Sequence, residues 1–498
     1  MSTVRRITFG TAQLTLSNVF VRLLSLVSMP ILTRLLTPGA YGAAAMAMTL
    51  TAFISAAALG GADVSYIRAY HAKQTAPAAA VEAFTWRYSM ASAILAAIAV
   101  EVFWGPVSNI FSLPSYAGWL VSACIVLSVA MVMATARARL QSRNGTLSIA
   151  TACAGMGSVA ASIALAYAGW RNELPLLVAL AAGYLIPVFI LGVPPLRVLL
   201  KPSGLSPTVR RHIFGIGIAA VVSAPAYAIM SSSDRWFLAY YQNADTAGIY
   251  SVAYGVAIIG MTVNAAGLYI WTPEATRLFE ARLPNSVQQL GNITEAMIAV
   301  LAWVWLAVAA AGGDIIRLFA APAFHEGAAV VPLIAGAVFF HGVGHLANTV
   351  YVLEKRLHRS VWWWAAGAAA SLLLNAVLIP RAGMLGAAAS QLLAFAITAL
   401  GLSFNARRMF AQHINWMRIL LVLFTALAAA FAMVPAWSKE PLVSLLLKSL
   451  AILLSALIVA SYFGPESILR AVLARTKVIP HTEPAAQMEP AGNECSSP

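Results

Sequence analysis

The sequence predicts an all-α polytopic membrane protein with about fourteen transmembrane helices. These form two six-helix lobes, related by a parallel internal repeat around a central cavity, plus two C-terminal helices. Three observations carry the prediction. Charged residues make up 10% of the 498 positions and hydrophobic ones 61%, with mean hydropathy +0.81, whereas soluble domains carry roughly 25% charged residues. Apolar stretches of about 20 residues recur from end to end, each long enough for a ~30 Å hydrocarbon core. The alternating pattern of a transmembrane barrel is absent, so helices are left to satisfy the backbone inside lipid. Finally, the basic residues alternate between successive loops, as the positive-inside rule requires.

By length and hydropathy the spans fall near 9–33, 42–66, 84–104, 117–137, 147–168, 174–194, 213–240, 247–272, 293–313, 328–352, 360–379, 383–404, 416–436 and 442–462. The opening MSTVRRITFG resembles the charged start of a signal peptide, but its apolar stretch runs too far and contains Arg22, which predicts a retained first helix. With a cytoplasmic N-terminus, the inner loops hold Arg68 and Lys73; Arg137, Arg139 and Arg143; Arg197, Lys201, Arg210 and Arg211. Further inner groups are Arg277 and Arg282; Lys355, Arg356 and Arg359; Arg407 and Arg408; and Arg470, Arg475 and Lys477. The outer loops hold only Arg34, Arg171, Arg317, Arg381 and Lys439. Both termini are therefore expected in the cytoplasm, and the sequons at Asn144 and Asn292 lie on the unglycosylated side. Trp362, Trp363 and Trp364 read as an interfacial anchor.

The formal charge of +14 does not indicate a nucleic-acid partner, because the basic residues are scattered between apolar segments rather than gathered in one patch. Three cysteines, Cys124, Cys153 and Cys495, supply neither a disulfide framework nor zinc spacing. Segments 9–70 and 214–280 repeat one layout: Phe-Gly, a long helix, a tight turn, a Gly/Tyr restart and a closing acidic–basic pair. Six spans separate them, so the copies run parallel. The expected organisation is an N-terminal lobe over 1–200, a second lobe over 201–410, two added helices over 411–465 and a cytoplasmic tail over 466–498. The tail is Pro-rich and polar, and is expected to be disordered.

Thr11, Thr15, Asn18, Arg22 and Ser25 follow at four, three, four and three, which places them on one face of the first helix. An arginine at mid-span costs roughly 2.5–3.5 kcal/mol on insertion scales. Either a wet, substrate-facing cavity or an ion pair with a carboxylate such as Asp63 relieves that cost. The seventh span repeats the device with Ser223, Tyr227, Ser231 and Asp234, next to Arg235. Consecutive residues point about 100° apart. Asp234 and Arg235 are therefore expected to diverge, one toward the path and one toward a neighbouring helix, or else Arg235 snorkels outward. His341 and His345 share a face one turn apart, suited either to proton coupling or to interhelical hydrogen bonds. No P-loop motif occurs and no soluble domain is long enough to house a catalytic lobe, so the chain reads as a transporter and not an enzyme.

The stretch SNVFVRLLSLVSMPILTRLLTPGAYGAAAMAMTLTAFISAAALGGADVSYIRAY resembles the opening of bacterial polysaccharide-biosynthesis flippases, the O-antigen and exopolysaccharide exporters of the MATE-like (MOP) superfamily. SSSDRWFLAYYQNADTAGIYSVAY is similar to the start of their second half, and LLLNAVLIPRAGMLGAAASQLLAF to their eleventh and twelfth spans. The resemblance covers roughly residues 5–405. It implies two six-helix bundles around a V-shaped cavity that opens alternately to either side. It also implies a cargo of oligosaccharide on undecaprenyl pyrophosphate, and basic cavity residues that engage the pyrophosphate. Arg22 and Arg34 match best, then Arg68 and Arg235. No cofactor is implied, and coupling to a proton gradient, a sodium gradient or the membrane potential stays open. Membrane lipids, a polysaccharide polymerase and chain-length machinery are the expected partners. A MATE-type organic-cation antiporter, which would need an acidic cavity, and a lipid II flippase are the alternatives.

Overall fold

The computed structural model describes residues 3–463 apart from 72–76, 112, 196, 198–203, 282–285 and most of 410–439. The predicted thirteenth span falls largely outside the described residues, and the tail over 466–498 wholly so. Among the described residues the chain is helical almost throughout and contains no strand. The first half comprises α1 (Thr3–Leu35), α2 (Pro38–Leu59), α3 (Ala62–His71), α4 (Ala78–Val102), α5 (Trp104–Phe111), α6 (Ala117–Leu140), α7 (Asn144–Tyr167) and α8 (Leu174–Leu191). The second comprises α9 (Pro207–Tyr241), α10 (Ala244–Ala257), α11 (Gly260–Ala281), α12 (Ser286–Phe319), a 3-10 segment (Pro322–Val330), α13 (Val331–Leu353), α14 (Leu357–Met409) and α15 (Pro441–Phe463). Among the described residues nine helices are long and apolar enough to cross a membrane, or ten if the bent pair α10–α11 is one span.

Two predicted spans depart from a single straight helix. The second, 42–66, is broken where Gly60 and Gly61 take φ +51° and +69°, so α2 ends at Leu59 and α3 starts afresh. The eighth, 247–272, bends by 43° between α10 and α11. The eleventh and twelfth predicted spans, 360–379 and 383–404, are the two helical arms of α14, separated at Gly383 by φ +53° and ψ −130°. Its two arms run antiparallel, with Leu378 beside Gly386, Gly367 beside Thr398 and Trp363 beside Gly401.

Local chemistry sets the helix starts. Thr37 caps α2 by accepting from the Ala40 amide at 3.2 Å, and Asn243 caps α10 by accepting from the Thr246 amide at 2.8 Å. Each side chain satisfies an amide that the first helical turn leaves open. These caps are equivalent positions in the repeated segments, and the helices they start meet face to face. A Cβ on Gly42 would overlap the Ala244 carbonyl, and one on Gly248 would overlap the Pro38 carbonyl. The contact is reciprocal: α2 and α10 each offer a glycine to the other's first turn. Around it Tyr41 meets Phe324 edge-on at 5.4 Å, and the Ala321 amide donates to Thr33 Oγ1 at 3.1 Å. The two halves are thus closed against each other at the end that carries Arg34.

Near the start of α6, the Tyr116 hydroxyl donates to the Glu173 carboxylate and accepts from Asn172 Nδ2 at 2.8 Å. Burial, followed by the Glu173 carboxylate beside it, pushes the Tyr116 hydroxyl above its ordinary range, so it stays protonated and donating at neutral pH. Tyr116→Phe leaves the buried Glu173 without this donor and should cost about 1–3 kcal/mol. A lowered thermal midpoint with normal membrane insertion is the expected readout.

Candidate functional site

α1 exposes two opposite faces. Asn18, Arg22 and Ser25 are exposed on one, and Leu16, Phe20, Leu23 and Val27 on the other. At 100° per residue these sets lie roughly 180° apart. Between them α1 leans on α7, where Gly155 receives Val21. An apolar exposed face suits lipid and a polar one with an arginine does not, so the polar face belongs against water or cargo. Thr11, the first residue of the predicted stripe, has its side chain outside the described residues.

Arg22 has no ion-pair partner among the described residues, so the alternative pairing with Asp63 is not formed. Asp63 instead occupies the first turn of α3 within electrostatic reach of Arg139. A carboxylate there interacts favourably with the helix N-terminus. Arg68 also lies on α3 and is exposed. Arg34 ends α1, exposed, with its guanidinium donating to the Pro30 carbonyl at 2.8 Å. Twelve residues of helix put it about 18 Å from Arg22 along the axis. Arg22 itself lies within electrostatic reach of the Tyr227 hydroxyl on α9, across the boundary between the halves.

Asp234 and Arg235 do not diverge as expected. Arg235 folds back, placing Nη1 3.2 Å from Asp234 Oδ1 and 2.9 Å from the Ser231 carbonyl. The error lay in the reach of the side chain: neighbouring Cβ atoms point apart, but a three-carbon stem brings the guanidinium round. Neither residue snorkels, since both are buried. Tyr250 donates to Asp234 Oδ2 at 2.6 Å, and the Arg235 guanidinium lies 4.0 Å from the Tyr254 ring centroid. This cluster is charge-balanced and sealed.

His341 and His345 bond to each other on their own helix α13, Nε2 to Nε2 at 3.0 Å, rather than bridging to another helix. The tryptophan triplet splits: Trp362 is 76% exposed, whereas Trp364 is 4% exposed and backs the histidines, so only the first residue is placed as an anchor would be. The described part of the site thus sets Arg22 within electrostatic reach of Tyr227, which packs against His341, itself bonded to His345. It leaves Asp234 and Arg235 sealed, Arg34 at the closed end, and Asp63 and Arg68 on α3. A fully buried charged pair escaped sequence reasoning. Asp314 of α12 binds Lys448 of α15 at 2.7 Å, both 1% exposed, with Ser444 Oγ donating to Asp314 at 3.0 Å. The available signal was two opposite charges, each isolated in its own apolar run.

Stacked apolar helices long enough to cross a membrane define a polytopic membrane protein. Residues 31–311 match the family model described as polysaccharide biosynthesis protein, and the chain belongs to that family. In structure it is similar to lipid II flippase MurJ in its inward closed conformation, with TM-score 0.69 and 12% identity over 92% of this chain and 99% of that one. It is also similar to a Vibrio cholerae MATE transporter, VcmN, with TM-score 0.55 and 14% identity over 86% and 98% of the two chains. An inward-facing multidrug resistance MATE family transporter of the MOP superfamily gives TM-score 0.54 and 13% identity over 81% and 96%. At these identities the likeness is one of fold. No curated protein sequence matches the chain.

Proposed function

We propose that this protein is a flippase that carries undecaprenyl-pyrophosphate-linked oligosaccharide from the cytoplasmic to the periplasmic leaflet of a bacterial inner membrane. The polysaccharide-biosynthesis family supports the glycan pathway. The fold shared with a lipid II flippase supports a lipid-linked cargo. The observation that carries the reading is Arg22, exposed on the polar face of α1 and without a carboxylate partner among the described residues. A guanidinium in that position calls for an anion, and its fork matches phosphate oxygens in charge-assisted, often bidentate bonds. Arg34, about 18 Å further along, supplies an outer station for the same diphosphate. The prenyl chain stays in lipid beside the apolar face of α1 while the glycan crosses on the polar side.

An organic-cation antiporter would need a carboxylate free to bind its cargo. Asp234, the acid central to the second half, is already neutralised by Arg235 and held by Tyr250. With the N- and C-termini cytoplasmic, outward movement of a negative headgroup is favoured by about 2.3 kcal/mol per charge per 100 mV of inside-negative potential. The transmembrane potential is therefore a sufficient drive. A polymerase and chain-length machinery would receive the delivered repeat units.

Arg22→Ala should reduce polysaccharide export at least ten-fold in the native host, with normal membrane insertion. Arg22→Lys keeps the charge but loses the fork, and should fall between. Unchanged export in Arg22→Ala would remove Arg22 from the mechanism.

A further inference from the structure

The surface that Arg22 reaches across the two halves is aromatic. The Tyr227 ring centroid lies 5.2 Å from that of His341, 6.2 Å from Phe395 and 6.4 Å from Trp364. His341 is 5.5 Å from Phe395, and His345 is 5.6 Å from Trp364. Three helices build this wall: α9 gives Tyr227, α13 the histidines and the two arms of α14 the remaining rings. Trp364 and Phe395 are buried and form the backing, whereas Tyr227, His341 and His345 stay partly exposed in front.

The polar atoms of the wall are incompletely used. In the Nε2–Nε2 contact one imidazole donates and the other accepts, so the two rings share one hydrogen. His341 Nδ1 has no partner, and neither does Asn348 Oδ1, although both atoms are sealed from water. His341, His345 and Asn348 follow at four and three, so they lie on one face of α13. A buried polar atom without a partner costs free energy, and such atoms are rare in native folds. These two call for a neutral group that both donates and accepts.

We propose that this wall is a subsite for a sugar ring of the cargo. The inference rests on the flippase reading and names the part of the cargo that this wall takes. A pyranose offers an apolar face of C–H groups edged by hydroxyls. Aromatic rings cover the first, while an imidazole and an amide oxygen answer the second, the usual division of labour in small-molecule pockets. The charges nearby favour this occupant over a travelling proton. Arg22 is the charged group that reaches Tyr227, and no carboxylate bonds to either imidazole among the described residues. A protonated histidine would have no bonded acid to offset its charge. Cargo would then be held at two points, the diphosphate on α1 and the sugar on the opposite half, which makes translocation sensitive to the presence of the glycan.

Equilibrium binding in lipid nanodiscs separates these roles, with two probes: undecaprenyl diphosphate, and the same lipid carrying a disaccharide. The wild type should prefer the glycosylated probe. His341→Ala combined with His345→Ala should weaken that probe about ten-fold and leave the bare lipid within two-fold of wild type. Tyr227→Ala, which spares α13, should do the same if the double variant folds poorly. An equal loss for both probes, or none for either, would overturn the subsite. So would unchanged binding accompanied by an altered pH dependence of transport, which would mark the pair as a proton carrier. Arg22→Ala should weaken both probes alike. If it changes neither while the histidine variant still loses the glycan preference, the diphosphate reading fails and the subsite stands.

Discussion

Gly42→Val is expected to force apart the end of the molecule that carries Arg34. Even a bare Cβ at Gly42 overlaps the Ala244 carbonyl, and backbone cannot swing aside as a side chain can. Inserting atoms into a contact this tight typically costs about 1–3 kcal/mol and occasionally more, and here the opposing atom is fixed in a helix. The variant should insert but lose the closed arrangement, seen as a lowered thermal midpoint in detergent and impaired export. Gly248→Val should match it, because the crossing is reciprocal. Their effects should not add, since one separation relieves both clashes. Gly39→Ala is the control: a Cβ there meets only the Asp245 carboxylate, at 3.1 Å, which is free to turn. A wild-type midpoint for Gly42→Val would mean that the two helices do not meet there.

Lys448→Met should be the most damaging single change in the C-terminal region. It leaves Asp314 buried with only Arg317, 3.9 Å away and itself 44% exposed, as counter-charge. Removing one partner of a buried ion pair costs about 3–5 kcal/mol, because the other charge remains without compensation. Replacing both, Asp314→Leu with Lys448→Met, should recover most of the loss, since a well-packed apolar pair is often as stable as the ionic one. The pair also explains how α15 is held. Lys448 donates to the Ala310 carbonyl at 3.0 Å, and Trp303 Nε1 donates to the Ile452 carbonyl at 3.2 Å, which clamps α15 to α12. Thermal midpoints of the single and double variants, measured together, decide the point. A double variant as unstable as the single would show that the loss comes from misfit rather than from the stranded charge.

Helix type, membrane class and the polar face of α1 were legible because each depends on short-range periodicity. A stripe at four and three positions fixes a face whatever surrounds it, and the exposure of Asn18 and Arg22 matches that geometry. The hairpin at Gly383 was legible as a gap between two apolar runs. The breaks at Gly60 and near Ile258 were not, since hydropathy continues unbroken through a change of direction. Asp234 with Arg235 was misjudged because a rule about Cβ directions says little about where a long side chain ends. The Asp314–Lys448 pair, the aromatic backing of the histidines and the Gly42–Gly248 crossing join residues far apart in sequence. Only packing brings them together, and no local pattern announces which distant partner a buried charge will find.

Gripping a diphosphate requires Arg22 to face water inside the membrane. Arg22→Cys, placed in a background with Cys124, Cys153 and Cys495 removed, puts a thiol at that position. It should react quickly with a water-soluble, membrane-impermeant thiol reagent added to open membrane fragments. Leu23→Cys, on the apolar, lipid-facing side of α1, should stay unreactive under the same conditions. Arg22→Cys as inert as Leu23→Cys would contradict the exposure of this position to water.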